Sequence, residues 1–522
     1  MKNLKWKKVG SAVLATALAG SMVLPATAYA QGEIVQLEGG TSTQTNTAPE
    51  QVFLNKYSGT VRTQNFNDNW KFYLGDASGA QTPAFDDSSW DQVNLPHDYS
   101  IDQKYNRSMD GESGYLPGGT GWYRKSFTVD KSLEGKRISI DFGGVYMNAT
   151  IYVNGKKLGT HPYGYTPFSF DITDNVKFGK ENVIAVKVDH QTPSSRFYSG
   201  SGIYRDVDFV VTDTVHVDKN GTKIETPDLK EHVDGNNVAV KVKTTVVNES
   251  ERDASVKVKH TIYPKNGTAE QAVATFESQE AVAVEKGKSK DVSADFTASG
   301  VQLWSTTTPN LYTVKTEVLM DGATVDTYET DYGFRYFAFD KNNGFTLNGQ
   351  KMKLQGVCMH HDQGALGSVA NDRSTERQVE ILKMMGCNSI RVTHNPASDE
   401  LIDACNKHGI LVIDEAFDGW VAPKNGNSND YAKWFNKEIE SDNEIMGAAD
   451  NMTWAQFDLT AMIERGQNDP AIIMWSLGNE MWEGTGGYSA AYKTAQDNLV
   501  KWAQAADTTR PVTTGDNKLK GE

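Results

Sequence analysis

Cysteine is scarce in this chain. Cys358, Cys387 and Cys405 are the only ones in 522 residues, an odd count, widely spaced and confined to the last third. No disulfide framework or zinc knuckle can be drawn from them, so buried free thiols are the expectation. An excess of basic charge is also missing. The formal balance is −15, which argues against a nucleic-acid partner and suits a neutral ligand. Beyond Leu24 no apolar run approaches membrane length, so no span is expected in the mature chain. Phosphate cradles are lacking as well, because Gly484-Thr-Gly-Gly487 has neither the lysine nor the helix start such a loop needs.

What is present begins with an N-terminal address. Lys2, Lys5, Lys7 and Lys8 form a basic head, Val9 to Leu24 an apolar stretch, and Ala28-Tyr-Ala30 a small-residue cleavage site, the pattern of a secretory signal. Residues 1–30 are therefore expected to be removed and the protein to be secreted or held at the cell surface, a retained anchor being the other reading. Residues 31–50, rich in Gly, Thr, Asn and Gln, cannot bury enough apolar surface to fold and are expected to be a disordered linker.

Two β-rich segments follow. In residues 51–214, Arg137-Ile-Ser-Ile-Asp-Phe142, Ala149-Thr-Ile-Tyr-Val153 and Asn182-Val-Ile-Ala-Val-Lys-Val188 alternate with period two, and Asn154-Gly155 supplies a hairpin turn. Such patterning predicts a sandwich or jelly roll. Residues 215–335 alternate as cleanly, as in Val238 to Val246 and Ala254 to Ile262, and predict an immunoglobulin-like sandwich without the cysteines of antibody domains.

From residue 336 the pattern changes to strand and helix in turn. Met352 to Met359 reads as a strand, Thr375 to Met385 as a helix capped by Ser374 or Thr375 and stopped by Gly386, and Ser389 to Val392 as a second strand. A helix over Asp399 to Lys407 leads to strand three at Gly409 to Ile413. Strand four is Ile472 to Ser476, and Pro511 to Thr514 reads as strand five. In a parallel α/β barrel all carboxyl ends share one face, where catalytic residues collect. Those ends here carry His360-His361-Asp362, Thr393-His394-Asn395, Asp414-Glu415 with Asp418, Asn479-Glu480, and Asp516-Asn517. The two adjacent histidines superficially suggest a metal, but neighbours on a strand point to opposite sides. No metal or cofactor is expected. Of the 11 Trp, 21 Tyr and 20 Phe, most are expected to be core rather than sugar-stacking platforms.

Two long runs resemble a known family. Asn388-Ser-Ile-Arg-Val-Thr-His394-Asn-Pro396 and Asn468-Asp-Pro-Ala-Ile-Ile-Met-Trp-Ser-Leu-Gly-Asn479-Glu480 are similar to the two signatures of glycoside hydrolase family 2. Gly118 to Arg124, Ser201 to Arg205 and Gly333-Phe-Arg335 add context, and the likeness is strongest to secreted multidomain β-galactosidases of Gram-positive bacteria. The resemblance implies a multidomain β plus α/β protein: a jelly-roll sugar-binding domain, an immunoglobulin-like sandwich and the first half of a (β/α)8 TIM barrel. It implies a retaining exo-β-galactosidase acting on terminal β-D-galactose of oligosaccharides or glycans, with Glu480 as general acid/base. It further implies that Asn479, His360, His394, Asp98, Arg196 and Asp516 contact the sugar.

A retaining mechanism needs a second carboxylate about 5 Å from the first. In this family that nucleophile is a glutamate near the end of strand seven, whereas Phe345 to Glu522 falls short of the ~250 residues of a complete barrel. It is expected beyond Glu522; Glu415, Asp418, Glu483 and Asp516 read as orienting or sugar-binding groups instead. Residues 31–522 alone are therefore expected to be inactive. Gly419 and Val421 stand near positions where metal-dependent relatives carry a Glu and a His, so a magnesium requirement is not supported. β-Glucuronidase or β-mannosidase activity, and an inactive carbohydrate-binding fragment, are the alternatives.

Overall fold

The computed structural model describes residues 62–481 and 490–515, with a short strand at Phe53–Leu54. The expected signal segment 1–30 and linker 31–50 lie outside the described residues, as do Glu483, Gly484 to Gly487 and Asp516. Among the described residues, no helix is long and apolar enough to cross a membrane.

The first domain packs a seven-stranded sheet against a four-stranded one. Ala149–Val153 alternates buried and half-buried positions, and Ile151 and Val153 are fully buried. Asn154 (φ 50°) and Gly155 (φ 89°) make the tight turn into Lys156–His161, a two-residue hairpin in which both central residues take positive φ. Phe66, Trp70, Phe127, Ile140, Phe142 and Phe209 fill the space between the sheets. The second domain is a sandwich of a three-stranded and a five-stranded sheet, with Val238–Asn248 burying alternate residues along its length.

The third domain is a parallel sheet with helices in the crossovers. Its strands are β1 (Gly356–Met359), β2 (Ser389–Val392), β3 (Leu411–Glu415), β4 (Ile472–Asn479) and β5 (Val512–Gly515), hydrogen-bonded in that order. The helices are α1 (Asp372–Met384), α2 (Asp399–His408), α3 (Trp454–Gly466) and α4 (Ala490–Ala506). Helix α2 shows how local sequence sets the ends. The Ser398 side chain accepts from the Leu401 N–H, acids occupy the first turn, Lys407 and His408 the last, and Gly409 closes it at φ 68°, matching capping and dipole preferences.

Several boundaries differ from expectation. Helix α1 starts earlier, because Asn371 rather than Ser374 or Thr375 is its cap, accepting from the Ser374 N–H. Met352 is outside β1, and the residues ahead of it form a small antiparallel sheet of Phe337–Asp340, Gly344–Leu347 and Gln350–Lys351. Strand β4 runs three residues further than read, through Asn479. The thiols are not uniformly buried: Cys405 is, but Cys358 is exposed, because β1 has a strand neighbour on one side only among the described residues.

The jelly roll and the barrel share one hydrophobic cluster, and polar ties reinforce it. Arg205, buried, donates to the carbonyls of Tyr165, Pro396 and Ala397. Arg335 donates to the carbonyls of Pro470 and Ile472 at the start of β4, and its burial lowers its pKa to about 9. Arg205 thus ties the first domain to the loop that follows the carboxyl end of β2, while Arg335 ties the end of the second domain to the opposite, amino end of β4.

Candidate active site

Strand β4 is buried from Ile472 to Asn479 except for a half-buried Met474, and Glu480 follows at its carboxyl end. The Glu480 side chain is 46% exposed, whereas Asn479 beside it is buried. The chain delivers one open carboxyl to the mouth and anchors its neighbour. Asn479 Oδ1 accepts from Arg391 Nη2 at 3.1 Å, and its Nδ2 donates to Asp418 Oδ1 at 3.2 Å. Its amide orientation is thereby set from β2 on one side and from the loop after β3 on the other.

Arg196 enters this mouth from the first domain. Its Nε and Nη2 donate to Asp418 at 3.0 and 2.6 Å, and its Nη1 donates to Glu480 Oε2 at 3.2 Å. Burial works against the guanidinium charge, but the Asp418 and Glu480 carboxylates overcome it and hold Arg196 protonated. Asp418 also receives Lys424 Nζ at 3.2 Å. Burial pushes the Asp418 carboxyl up, yet Arg196 and Lys424 outweigh that and leave it below the usual carboxylate range.

A second cluster lies on the β2 and β3 side. Glu415, fully buried, accepts from Arg391 Nε and Nη2 at 3.0 and 2.6 Å and from Ser476. Its other oxygen is 2.6 Å from His394 Nδ1. That bond fixes the His394 ring and turns its Nε2 edge away from Glu415. His360 lies across from it, ring centroids 5.4 Å apart, and Phe197 covers both at 4.2 and 5.1 Å. Burial and then the neighbouring His394 lower the His360 pKa, which favours its uncharged form. His361 takes a different partner set, the Asn395 carbonyl at 3.3 Å and the Tyr165 ring.

Of the residues expected to contact sugar, His360, His394, Asn479 and Arg196 meet around Glu480. Asp516 lies outside the described residues. Asp98 requires correction. It is 1% exposed, and its two oxygens already take the N–H groups of Ser100, Ser201 and Ser368 and the hydroxyls of Tyr198 and Ser368. With five protein donors the carboxylate has no acceptor capacity left for a sugar hydroxyl; it ties the first-domain loops to the loop after β1. Sequence reading passed over Phe197 and Lys424. Phe197 adjoins Arg196, a usable signal, but Lys424 sits in an irregular loop whose composition marks nothing. Glu376, Glu380 and His408 on α1 and α2 have spacing compatible with a metal, but their carboxylates are taken by Arg373, Lys407 and His408 itself.

Three family models match the chain in order: the sugar binding domain of glycosyl hydrolases family 2 over residues 63–213, a further domain of that family over 222–335, and its TIM barrel domain over 340–521. The chain is 39% identical to β-galactosidase BoGH2A of Bacteroides ovatus over 484 residues, 87% of this chain and 54% of that protein. It is 35% identical to a putative β-glucuronidase of Formosa agariphila, covering 86% of this chain and 40% of that one. A solved family 2 member from Bacteroides cellulosilyticus superposes with TM-score 0.80 at 38% identity, covering 88% of this chain and 56% of the other. The chain thus spans about half the length of the relatives it matches. With all three domains present in the family's order and the signature carboxylate at the end of β4, the chain belongs to glycosyl hydrolase family 2.

Proposed function

We propose that this chain carries the acid/base half of a retaining exo-β-galactosidase, which removes terminal non-reducing β-D-galactose from oligosaccharides or glycans. One observation carries the choice of sugar. Among the described residues, the cations near Glu480 are each matched by a carboxylate: Arg196 by Asp418 and Glu480, Lys424 by Asp418, and Arg391 by Glu415. An anionic sugar would enter a mouth with no uncommitted positive charge among these groups. A neutral galactoside meets hydrogen-bonding groups and the Phe197 ring, which suits an apolar sugar face.

In the mechanism so proposed, Glu480 donates a proton to the glycosidic oxygen while a second carboxylate attacks the anomeric carbon. Glu480 then takes a proton from the water that cleaves the glycosyl ester. Asn479, held by Arg391 and Asp418, is assigned to the sugar 2-hydroxyl, and His360 and His394 to the galactose subsite. The second carboxylate is assigned to the part of the family's barrel that this chain does not span. Export through residues 1–30 belongs to the same proposal, and mass spectrometry of the mature protein starting at Gln31 would support it.

β-Glucuronidase is the second reading, favoured by Arg196 at the mouth and by relatives that carry that name. The test is a side-by-side assay of full-length protein on nitrophenyl β-galactoside and β-glucuronide. Higher kcat/KM on the galactoside is expected. Preference for the glucuronide would overturn the choice of sugar, and unchanged turnover in Glu480→Gln would overturn the assignment of the acid/base.

A further inference from the structure

The peptide joining Asn479 to Glu480 is held in a conformation the backbone does not adopt freely. Glu480 has φ 45°, in the left-handed region that residues with a Cβ other than Asn and Asp seldom occupy, and where strain persists only if the surroundings over-determine it. One end of this peptide is poorly fixed. The Glu480 N–H reaches the Gly515 carbonyl only at 3.4 Å. Its carbonyl end carries the restraint: Lys424 Nζ, buried with its side chain 4% exposed, donates to the Asn479 carbonyl oxygen.

Lys424 is also tied to the groups that hold the Glu480 carboxyl. Its second bond goes to Asp418 Oδ1 at 3.2 Å, the oxygen that also receives Arg196 Nη2 and Asn479 Nδ2. Arg196 in turn reaches Glu480 Oε2. Backbone and carboxyl of the same residue are thus held by two cations that meet on one carboxylate. Bonds from an ammonium are stronger than those from neutral donors, and a neutral side chain of similar length would not maintain both.

We propose that Lys424 is the positioning residue of the acid/base: by clamping the Asn479 carbonyl it keeps Glu480 in the left-handed turn that aims its carboxyl at the glycosidic oxygen. Lys424 touches neither substrate nor reacting atoms; it acts through the peptide. This rests on the reading of Glu480 as general acid, and the experiment separates the two.

The readout is kcat/KM of the full-length protein on methyl β-galactoside, whose leaving group must be protonated, and on dinitrophenyl β-galactoside, whose leaving group departs without a proton. Because kcat/KM stops at the first irreversible step, it reports the protonation Glu480 supplies. Lys424→Met is expected to lose about 100-fold on the methyl glycoside and less than about 5-fold on the dinitrophenyl one, the signature of impaired general acid catalysis. Lys424→Arg, which keeps the charge, is expected to recover part of the loss. Glu480→Gln serves as the reference and is expected to show the same leaving-group dependence more steeply. Equal losses on both substrates in Lys424→Met, or no loss, while Glu480→Gln shows the dependence, would overturn the role of Lys424 alone. Absence of the dependence in Glu480→Gln would overturn the acid/base reading and this role with it. If circular dichroism shows Lys424→Met unfolded, Lys424→Gln carries the same comparison.

Discussion

Asp458 is the most demanding test of how the first domain is fixed to the barrel. It lies on α3, is fully buried, and accepts from partners in other parts of the fold: His161 Nε2 at 2.8 Å, the Thr166 hydroxyl and the Tyr431 hydroxyl. His161 and Thr166 belong to the jelly roll, and Tyr431 to the loop after β3. Replacing Asp458 by Ala strands three buried donors at once. Each unsatisfied buried group costs about 1–3 kcal/mol, and three are left at once. Water entering the small cavity left behind would relieve part of the sum, so about 3–5 kcal/mol is expected for Asp458→Ala. That is a large share of the roughly 5–15 kcal/mol that holds a typical domain together. Asp458→Asn keeps one acceptor oxygen and the shape, and about 1–2 kcal/mol is expected. Urea denaturation followed by circular dichroism measures both. A cost below about 1 kcal/mol for Asp458→Ala, or equal costs for Ala and Asn, would refute the view that this carboxylate is a polar tie across the interface.

Two further outcomes follow from the neighbourhood of the mouth. Burial pushes the Asp430 carboxyl from 3.8 up to about 7, so the folded protein retains a proton that the unfolded chain gives up. Stability from this group is present below the unfolded pKa and lost as pH rises through about 4 to 7, with a ceiling of about 4 kcal/mol. Asp430→Asn is therefore expected to match wild type in Tm at acid pH and exceed it above pH ~7; parallel Tm curves would contradict this. Glu415→Gln weakens the clamp on Arg391 and His394. A drop of roughly 10- to 100-fold in kcat/KM is expected, the scale of a misplaced subsite, and unchanged kinetics would show that neither side chain depends on it.

How much of this was readable in the residues varied with the kind of signal. Asn154-Gly155 named its turn because few dipeptides accept two successive positive φ values. Gly409 ended α2 for a related reason. Helix α3 went unread because eight of its 13 residues are buried; a helix covered on most sides has no polar stripe to reveal its period. The cap of α1 was misplaced because Asn371, Ser374 and Thr375 are all capping residue types and only geometry decides among them. At the site, Asn479 and Glu480 stood out because two polar residues end an apolar strand. The partner network did not. Lys424 contacts Asn479 from 55 positions away in sequence, through a loop with no repeating pattern, and Asp98 looked free because its five donors come from four separated residues. Local signals were legible; long-range polar pairing was not.

Glu480 is proposed as the proton donor and acceptor of a retaining galactosidase. The most direct test of that proposal is azide rescue of Glu480→Ala in the full-length protein with dinitrophenyl β-galactoside. The galactosyl ester forms without a proton from residue 480, and hydrolysis stalls for want of a base; azide, which needs no base, is expected to restore turnover and yield β-galactosyl azide with retained configuration. No acceleration by azide, or an α-configured product, would contradict the account.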